Sequence, residues 1–238
     1  MRRDGGDLVL DGVKQPVEAA ASATHLLVSG RGDDGLTQAL VPSDAPGVTV
    51  TPLRSIDLTR RFAAVRFEAV RVPLDAVVGQ VGKADEDVER QLQHALVLLA
   101  AESVGAMEAA FEMTVEWAFD RYSFGRPLAS YQALKHRFAH MKSWLEASHA
   151  IADEAAEAVA VGSPTAAVTA SAAKAFVGDH GSELVQDCVQ IHGGIGVTYE
   201  HDLHLYLRRH TVDRALCGTP GEHRLRIVDL MEREEKSS

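Results

Sequence analysis

The chain of 238 residues has only two cysteines, Cys188 and Cys217, and no CxxC spacing. That excludes a disulfide framework and a zinc motif as organising elements. Basic residues are also scarce: 24 Lys and Arg stand against 34 Asp and Glu, for a formal net charge of −10. A general nucleic-acid binder would carry the opposite balance, although a few well-placed Arg side chains can still serve an anionic ligand. No apolar run reads as long enough to span a membrane. The opening Met1-Arg2-Arg3-Asp4-Gly5-Gly6 lacks the apolar segment of a secretory signal. Internal repeats and low-complexity linkers are absent. The default expectation is a soluble protein in a reducing, cytoplasmic setting. With 46% hydrophobic and 24% charged residues, the composition is globular and the length suffices for a buried core.

The hydrophobic pattern changes near residue 85. Before it, short apolar or alternating runs are separated by turn residues. Asp7–Leu10 reads as a strand, Asp11-Gly12 as a turn, and Val13-Lys14 as the next strand. His25–Ser29 and Thr37–Pro42 flank the polar tip 31–35, and Ala64–Val72 alternates as a half-exposed strand. After residue 85 the chain is rich in Ala, Leu, Val and Glu. Asp85-Glu86-Asp87 marks a helix start. Further helices are expected from Ser130, as a cap, to Val161; from Pro164, in the first turn, to Ile191; over Glu200–Arg209; and over Gly221–Glu235. Gly178 and Gly181 look like weak points in the third. The fold expected is α+β: a small antiparallel β-domain at 1–84, then an antiparallel four-helix bundle at 85–238.

Two segments carry chemistry. In the first, Arg121-Tyr122-Ser123-Phe124-Gly125-Arg126-Pro127 precedes Ser130-Tyr131-Gln132. An Arg at a helix end beside a Gly-containing loop can present its planar fork to a diphosphate. Phe124 can flank a ring, and Gln132 can bond a sugar or base. From chemistry alone the simpler reading is a corner between helices, with Phe124 in the core. In the second, Gln190-Ile191-His192-Gly193-Gly194-Ile195-Gly196 packs three glycines into four positions. These permit close approach of backbone to a ligand and an anion nest. A helix rather than a strand precedes them, so this is not the dinucleotide fingerprint. A plain interhelical turn is the bland alternative.

Together, in this order on a helical bundle, the two segments resemble the C-terminal domain of the acyl-CoA dehydrogenase family. The resemblance implies an FAD cofactor whose adenosine diphosphate half is held by Arg121, Ser123, Phe124, Gln132, Gln190, Gly193, Gly194 and Thr219. It also implies that this site is completed between subunits of a homo- or hetero-oligomer. An acyl-CoA substrate, an electron acceptor of the electron-transfer flavoprotein type and a place in fatty acid metabolism follow from it as well. The run Tyr199–Arg209 is similar to the family's bacterial members, and residues 7–80 look like most of its middle β-domain.

Three departures stand beside this resemblance. The family's usual catalytic Glu precedes Gly-Thr, but here Cys217 precedes Gly218-Thr219. Glu102 offers a substitute base, with a satisfied polar residue of the bundle as its simpler role. The flavin wall reads Gln15-Pro16-Val17-Glu18 instead of an aromatic and a Thr, and Gly221 replaces a Gln past Gly-Thr. The family's N-terminal helical domain and early β segment have no counterpart in these residues. A partner subunit without its own catalysis, or a truncated homologue, is therefore the alternative to a dehydrogenase polypeptide. A bundle-forming module that binds no flavin is a third reading. His201 and His204, three apart, lack further metal ligands. Arg60-Arg61 and Arg208-Arg209 read most simply as surface charge, and Trp117 and Trp144 as core or interface anchors.

Overall fold

A computed structural model describes residues 1–237, which fall into two compact units, Met1–Gln91 and the residues from Leu92 onward. The first contains seven strands: β1 (Arg2–Asp4), β2 (Asp7–Glu18), β3 (His25–Gly32), β4 (Gly35–Pro42), β5 (Val48–Leu53), β6 (Phe62–Pro73) and β7 (Val77–Val78). They form two antiparallel sheets, in the orders β1-β2-β6-β5 and β3-β4-β7. Strand alternation, offset once by the bulge at Ala69, sends Ala63, Val65, Phe67, Val70 and Val72 of β6 inward. They meet Leu8 and Leu10 of β2, Leu26 and Val28 of β3, and Ala39 and Val41 of β4 in one core.

Asp11-Gly12 is not the hairpin turn expected from its composition. β2 runs on through it, because β6 supplies a pairing partner from Pro73 to Phe62. The register shifts between Leu10 and Gly12, where Gly12 has φ +140° and the opposed Ala69 has φ +49°. The Asp11 carboxylate accepts the Ala69 N–H at 2.8 Å. The pair thus forms a bulge whose unpaired donor is satisfied by a side chain. β1 is a strand that the sequence pattern did not mark.

Five helices follow: α1 (Asp85–Asp120), α2 (Gln132–Ala160), α3 (Ala166–His192), α4 (Leu203–Ala215) and α5 (Pro220–Ser237). The first turns of α1 belong to the first unit, where Gln91 and the buried Gln38 of β4 exchange two amide hydrogen bonds of 2.8 and 3.0 Å. In the second unit Met107 of α1, Met141 and Leu145 of α2, Leu184 and Cys188 of α3, and Leu203 of α4 share one core. Alanines such as Ala110, Ala155 and Ala173 are interleaved with them, which lets the helices approach closely. An α+β fold with a four-helix core is therefore present, and α5 packs along α3. α1 is long and apolar enough to cross a membrane by length and composition alone, but much of that stretch is buried in the protein.

Helix ends differ from the expected ones for local reasons. Ser130 is not the cap of α2. Its hydroxyl donates to the Pro127 carbonyl at 2.7 Å, and Tyr131 is the N-cap without a side-chain bond. Pro164 lies in the turn before α3, which begins at Ala166. α4 starts at Leu203 and extends to Ala215, with the Leu203 N–H donated to His201 Nδ1 at 3.2 Å. α5 opens with a capping box that the sequence T-P-G-E encodes. Glu222 accepts the Thr219 N–H at 2.7 Å, and the Thr219 hydroxyl faces the Glu222 N–H at 3.4 Å. Gly178 and Gly181 are close-approach positions rather than weak points. A Cβ on Gly178 would lie 2.9 Å from Pro220, and the Gly181 backbone lies against the His210 ring.

Candidate functional site

α1 ends at Asp120, and a tight two-strand corner follows: β8 (Tyr122–Ser123) and β9 (Arg126–Pro127). Phe124 and Gly125 link them with φ +49° and +77°, as in a type I′ turn. The corner is braced from below. Tyr131 donates its hydroxyl to the Ser123 carbonyl at 2.6 Å, and the Arg126 guanidinium lies 3.8 Å from the Tyr131 ring centroid. The Leu128 N–H is donated to the Arg121 carbonyl at 2.8 Å. The Arg121 backbone is thereby fixed while its side chain is exposed. Phe124 is 98% exposed. The expectation of a core phenylalanine is therefore corrected: a type I′ turn points its central side chains away from the body it closes.

α3 ends in the second segment. Gly193 caps it with φ +66° and ψ −140°, a conformation that glycine adopts at little cost. Residues Gly193–Val197 form a 3-10 turn. Gln190, Gly193 and Gly194 are exposed. A Cβ placed on Gly193 or Gly194 would meet no atom within 4 Å, so the backbone here is open to a ligand.

The two segments are joined by residues that the sequence reading treated as anchors or left unassigned. The Arg121 guanidinium stands over the Trp117 ring at 5.9 Å. Trp117 stacks on His192, with centroids 5.1 Å apart and planes 16° apart. His192 immediately precedes Gly193 and is buried. Its Nδ1 lies 2.8 Å from the Cys188 carbonyl. Burial, only partly opposed by that hydrogen bond, holds its pKa below the ordinary imidazole value. A sequence signal existed: Trp117 lies one helical turn before Arg121, on the same face.

The remaining candidates fall elsewhere. Ser123 supplies its carbonyl to the corner, and Gln132 begins α2 with an exposed side chain. Thr219 is engaged with Glu222. Cys217 is exposed with φ +57°, and its carbonyl lies 3.0 Å from His223 Nε2. Glu102 accepts a hydrogen bond from Arg209 across α1 and α4, which favours the structural role over that of a base. In the first unit Gln15, Val17 and Glu18 line a cleft of about 450 Å³ with His25, Leu26 and Phe67. Arg60 pairs with Glu18 at 3.2 Å, and Arg208 donates to the Tyr199 hydroxyl at 2.9 Å. Trp144 stacks on His180. Among the described residues no group of three or more His, Cys, Asp or Glu side chains could hold a metal ion.

This donor set fits the adenosine diphosphate half of FAD. It combines an exposed guanidinium, an exposed aromatic ring, an exposed amide and open glycine backbone. It does not fit the usual base, since a thiol stands where the resemblance calls for a carboxylate.

Residues 86–231 match the family model of the acyl-CoA dehydrogenase C-terminal domain. The chain is 37% identical to acyl-CoA dehydrogenase IpdE2 of Mycobacterium tuberculosis over 173 residues, covering 72% of this chain and 48% of that protein. It is 33% identical to acyl-CoA dehydrogenase FadE34 of the same organism, covering 94% of this chain and 32% of that one. Among solved structures it resembles a Tcur3481-Tcur3483 steroid ACAD, with TM-score 0.88 and 29% identity, covering 99% of this chain and 62% of that one. Butyryl-CoA dehydrogenase from Megasphaera elsdenii superposes with TM-score 0.90 at 25% identity, covering 97% and 62%. The chain spans from about a third to about half the length of these two curated relatives. The shared bundle core and these likenesses agree: the chain belongs to the acyl-CoA dehydrogenase family.

Proposed function

We propose that this chain is a flavin-dependent acyl-CoA dehydrogenase polypeptide. Its Arg121–Phe124 corner and Gly193–Gly194 turn hold the adenosine diphosphate half of an FAD bound between subunits. The observation that carries this reading is Phe124, 98% exposed on a rigid turn beside an exposed Arg121. An exposed ring on a braced turn beside an exposed guanidinium leaves both side chains free to contact an FAD at a subunit junction. In this reading residues 1–84 are part of the family's middle β-domain, and 85–238 form its C-terminal helical domain.

FAD, when bound, would supply the acceptor for the hydride from the β-carbon of the acyl thioester. The chain's own residues bind and orient. Arg121 neutralises diphosphate charge with its planar fork. Gly193 and Gly194 offer backbone N–H groups. Gln190 and Gln132 offer amides and Ser123 its hydroxyl to the sugar and base, while Thr219, whose N–H and hydroxyl are donated to Glu222, keeps only acceptor capacity on its hydroxyl oxygen. The reaction also needs a carboxylate within hydrogen-bond reach of the α-proton.

That requirement favours a second reading on a specific observation. Cys217 stands at the usual base position, and Glu102 is tied to Arg209. The chain then completes the FAD site of a partner acyl-CoA dehydrogenase subunit that carries the base. The likeness to a steroid ACAD makes steroid acyl-CoA thioesters substrates to try beside straight-chain ones. An electron-transfer flavoprotein is the expected acceptor. Cys188 and Cys217 form no disulfide, which suits a reducing, cytoplasmic setting.

The test is to purify the chain alone and co-produced with a full-length dehydrogenase subunit, then record visible flavin absorption and dye-linked acyl-CoA oxidation. Flavin and turnover with the chain alone support the catalytic reading. Flavin only in the mixed complex supports the second. Colourless protein in both preparations overturns both.

A further inference from the structure

We propose that Trp117 is a positioning residue for the cofactor's diphosphate, acting by fixing Arg121 and the Gly193–Gly194 turn relative to each other. This inference rests on the function proposed above. Trp117 carries the Arg121 guanidinium at 5.9 Å from its ring centroid and stacks on His192 at 5.1 Å. His201 closes the cluster. Its ring stands edge-on to Trp117, with centroids 6.4 Å apart, and tilted against His192 at 4.6 Å. Three rings therefore wedge the end of α1 against the end of α3, where the two ligand-facing segments begin.

The hydrogen bonding shows what holds this wedge. His192 Nδ1 donates to the Cys188 carbonyl, which fixes the imidazole plane and leaves Nε2 as an acceptor. His201 Nδ1 accepts the Leu203 N–H, which fixes the second ring. The Trp117 indole N–H is buried and has no hydrogen-bond partner among the described residues, and neither has His192 Nε2. Trp117 is thus placed by its ring contacts and not by its polar atom. An unpaired buried N–H is a cost that phenylalanine would avoid. What tryptophan adds in return is the largest π face available to Arg121 and His192. The Arg121 guanidinium rests over the Trp117 ring, a contact that restrains its charged end before a phosphate arrives. Preorganised donors bind more tightly because less freedom is lost on binding.

The measurement is the FAD dissociation constant of the flavin-bearing assembly, followed by flavin fluorescence, for Trp117→Leu, Trp117→Phe, Arg121→Ala and the Trp117→Leu/Arg121→Ala double variant. Leucine stays apolar but is smaller and removes the π face, whereas phenylalanine keeps a face. The expected result is about tenfold weaker binding for leucine and about threefold or less for phenylalanine. The double variant should be little weaker than Arg121→Ala alone, because the two side chains act as one unit. A purely packing role predicts instead that the two effects multiply, and that outcome overturns the proposal. So does a leucine variant that binds FAD like the wild type while Arg121→Ala weakens it. If Arg121→Ala binds normally, the diphosphate reading itself fails; if the wild type holds no FAD in any assembly, both fail.

Discussion

Arg209 on α4 donates a hydrogen bond to the carboxylate of Glu102 on α1. The pair is partly buried and joins two of the four helices that share the core. A carboxylate held in this way orients a helix more readily than it abstracts a proton from a substrate carbon. In an assembly that turns over, Glu102→Gln should therefore keep the dehydrogenation rate within about twofold, since the amide still accepts from Arg209. Glu102→Ala should lower unfolding free energy by about 1 kcal/mol. Steady-state rates and urea unfolding of the two variants check this. A large fall in kcat for the Gln variant would restore Glu102 as the base.

Phe124 makes a contrasting case. At 98% exposure its ring buries almost nothing in the chain itself. Phe124→Ala should change unfolding free energy by no more than about 0.5 kcal/mol. Flavin retention in the assembly should nonetheless fall measurably, because the ring is covered only when something docks on it. Thermal melts of the chain, set beside flavin retention after gel filtration, separate the two effects.

The Thr219–Glu222 capping box starts α5. Thr219→Ala removes the hydroxyl and should cost about 1 kcal/mol, whereas Thr219→Ser should cost little. Urea midpoints of the two variants test this. Hydrogen bonds from the Thr219 N–H and hydroxyl hold the Glu222 carboxyl below its usual range, so the box should persist in mildly acidic buffer.

Acid should unfold the bundle through its buried histidines. Burial depresses His210 to about 4 and lowers His192 and His223 as well. The unfolded chain then takes up protons first as pH falls. The stability present above about 6.5, the unfolded value, is lost progressively as pH falls toward about 4. For His210 the shift corresponds to about 3 kcal/mol at most over that window. Burial also lowers Lys174 to about 8. By the same sign its effect runs between about 8 and its ordinary value, outside this range. Urea midpoints at pH 7 and pH 5 should differ in favour of pH 7, and His210→Gln should narrow the difference. Equal midpoints for the wild type would contradict the account.

Much of the fold was legible because local pattern and tertiary need agree. The acids at Asp85-Glu86-Asp87 open α1, and the polar tip Asp33-Asp34 closes the β3–β4 hairpin. The failures have long-range causes. Asp11-Gly12 has turn chemistry, but the full-length partner strand β6 converts it to a bulge. Gly178 and Gly181 lower helix propensity, yet their missing side chains admit Pro220 and His210. The motif residues Arg121, Gln190, Gly193 and Gly194 are singled out by the resemblance of their two segments to the family's. Their coupling through Trp117 and His192 is not legible in the same way, because seventy-five residues separate those two rings in sequence. The exposure of Phe124 follows from backbone handedness at Phe124-Gly125, which composition does not reveal.

The central claim is that Arg121 and the Gln190–Gly194 turn hold a flavin's diphosphate. It is tested most directly by the FAD content and FAD dissociation constant of the assembly containing Arg121→Ala and Gln190→Ala, each compared with the wild type. The account predicts folded, correctly assembled protein that binds FAD at least about tenfold more weakly for Arg121→Ala, in keeping with the loss of a charged hydrogen-bond donor to phosphate. The Gln190→Ala variant should show a smaller weakening. Unchanged FAD content and affinity in both variants would contradict it.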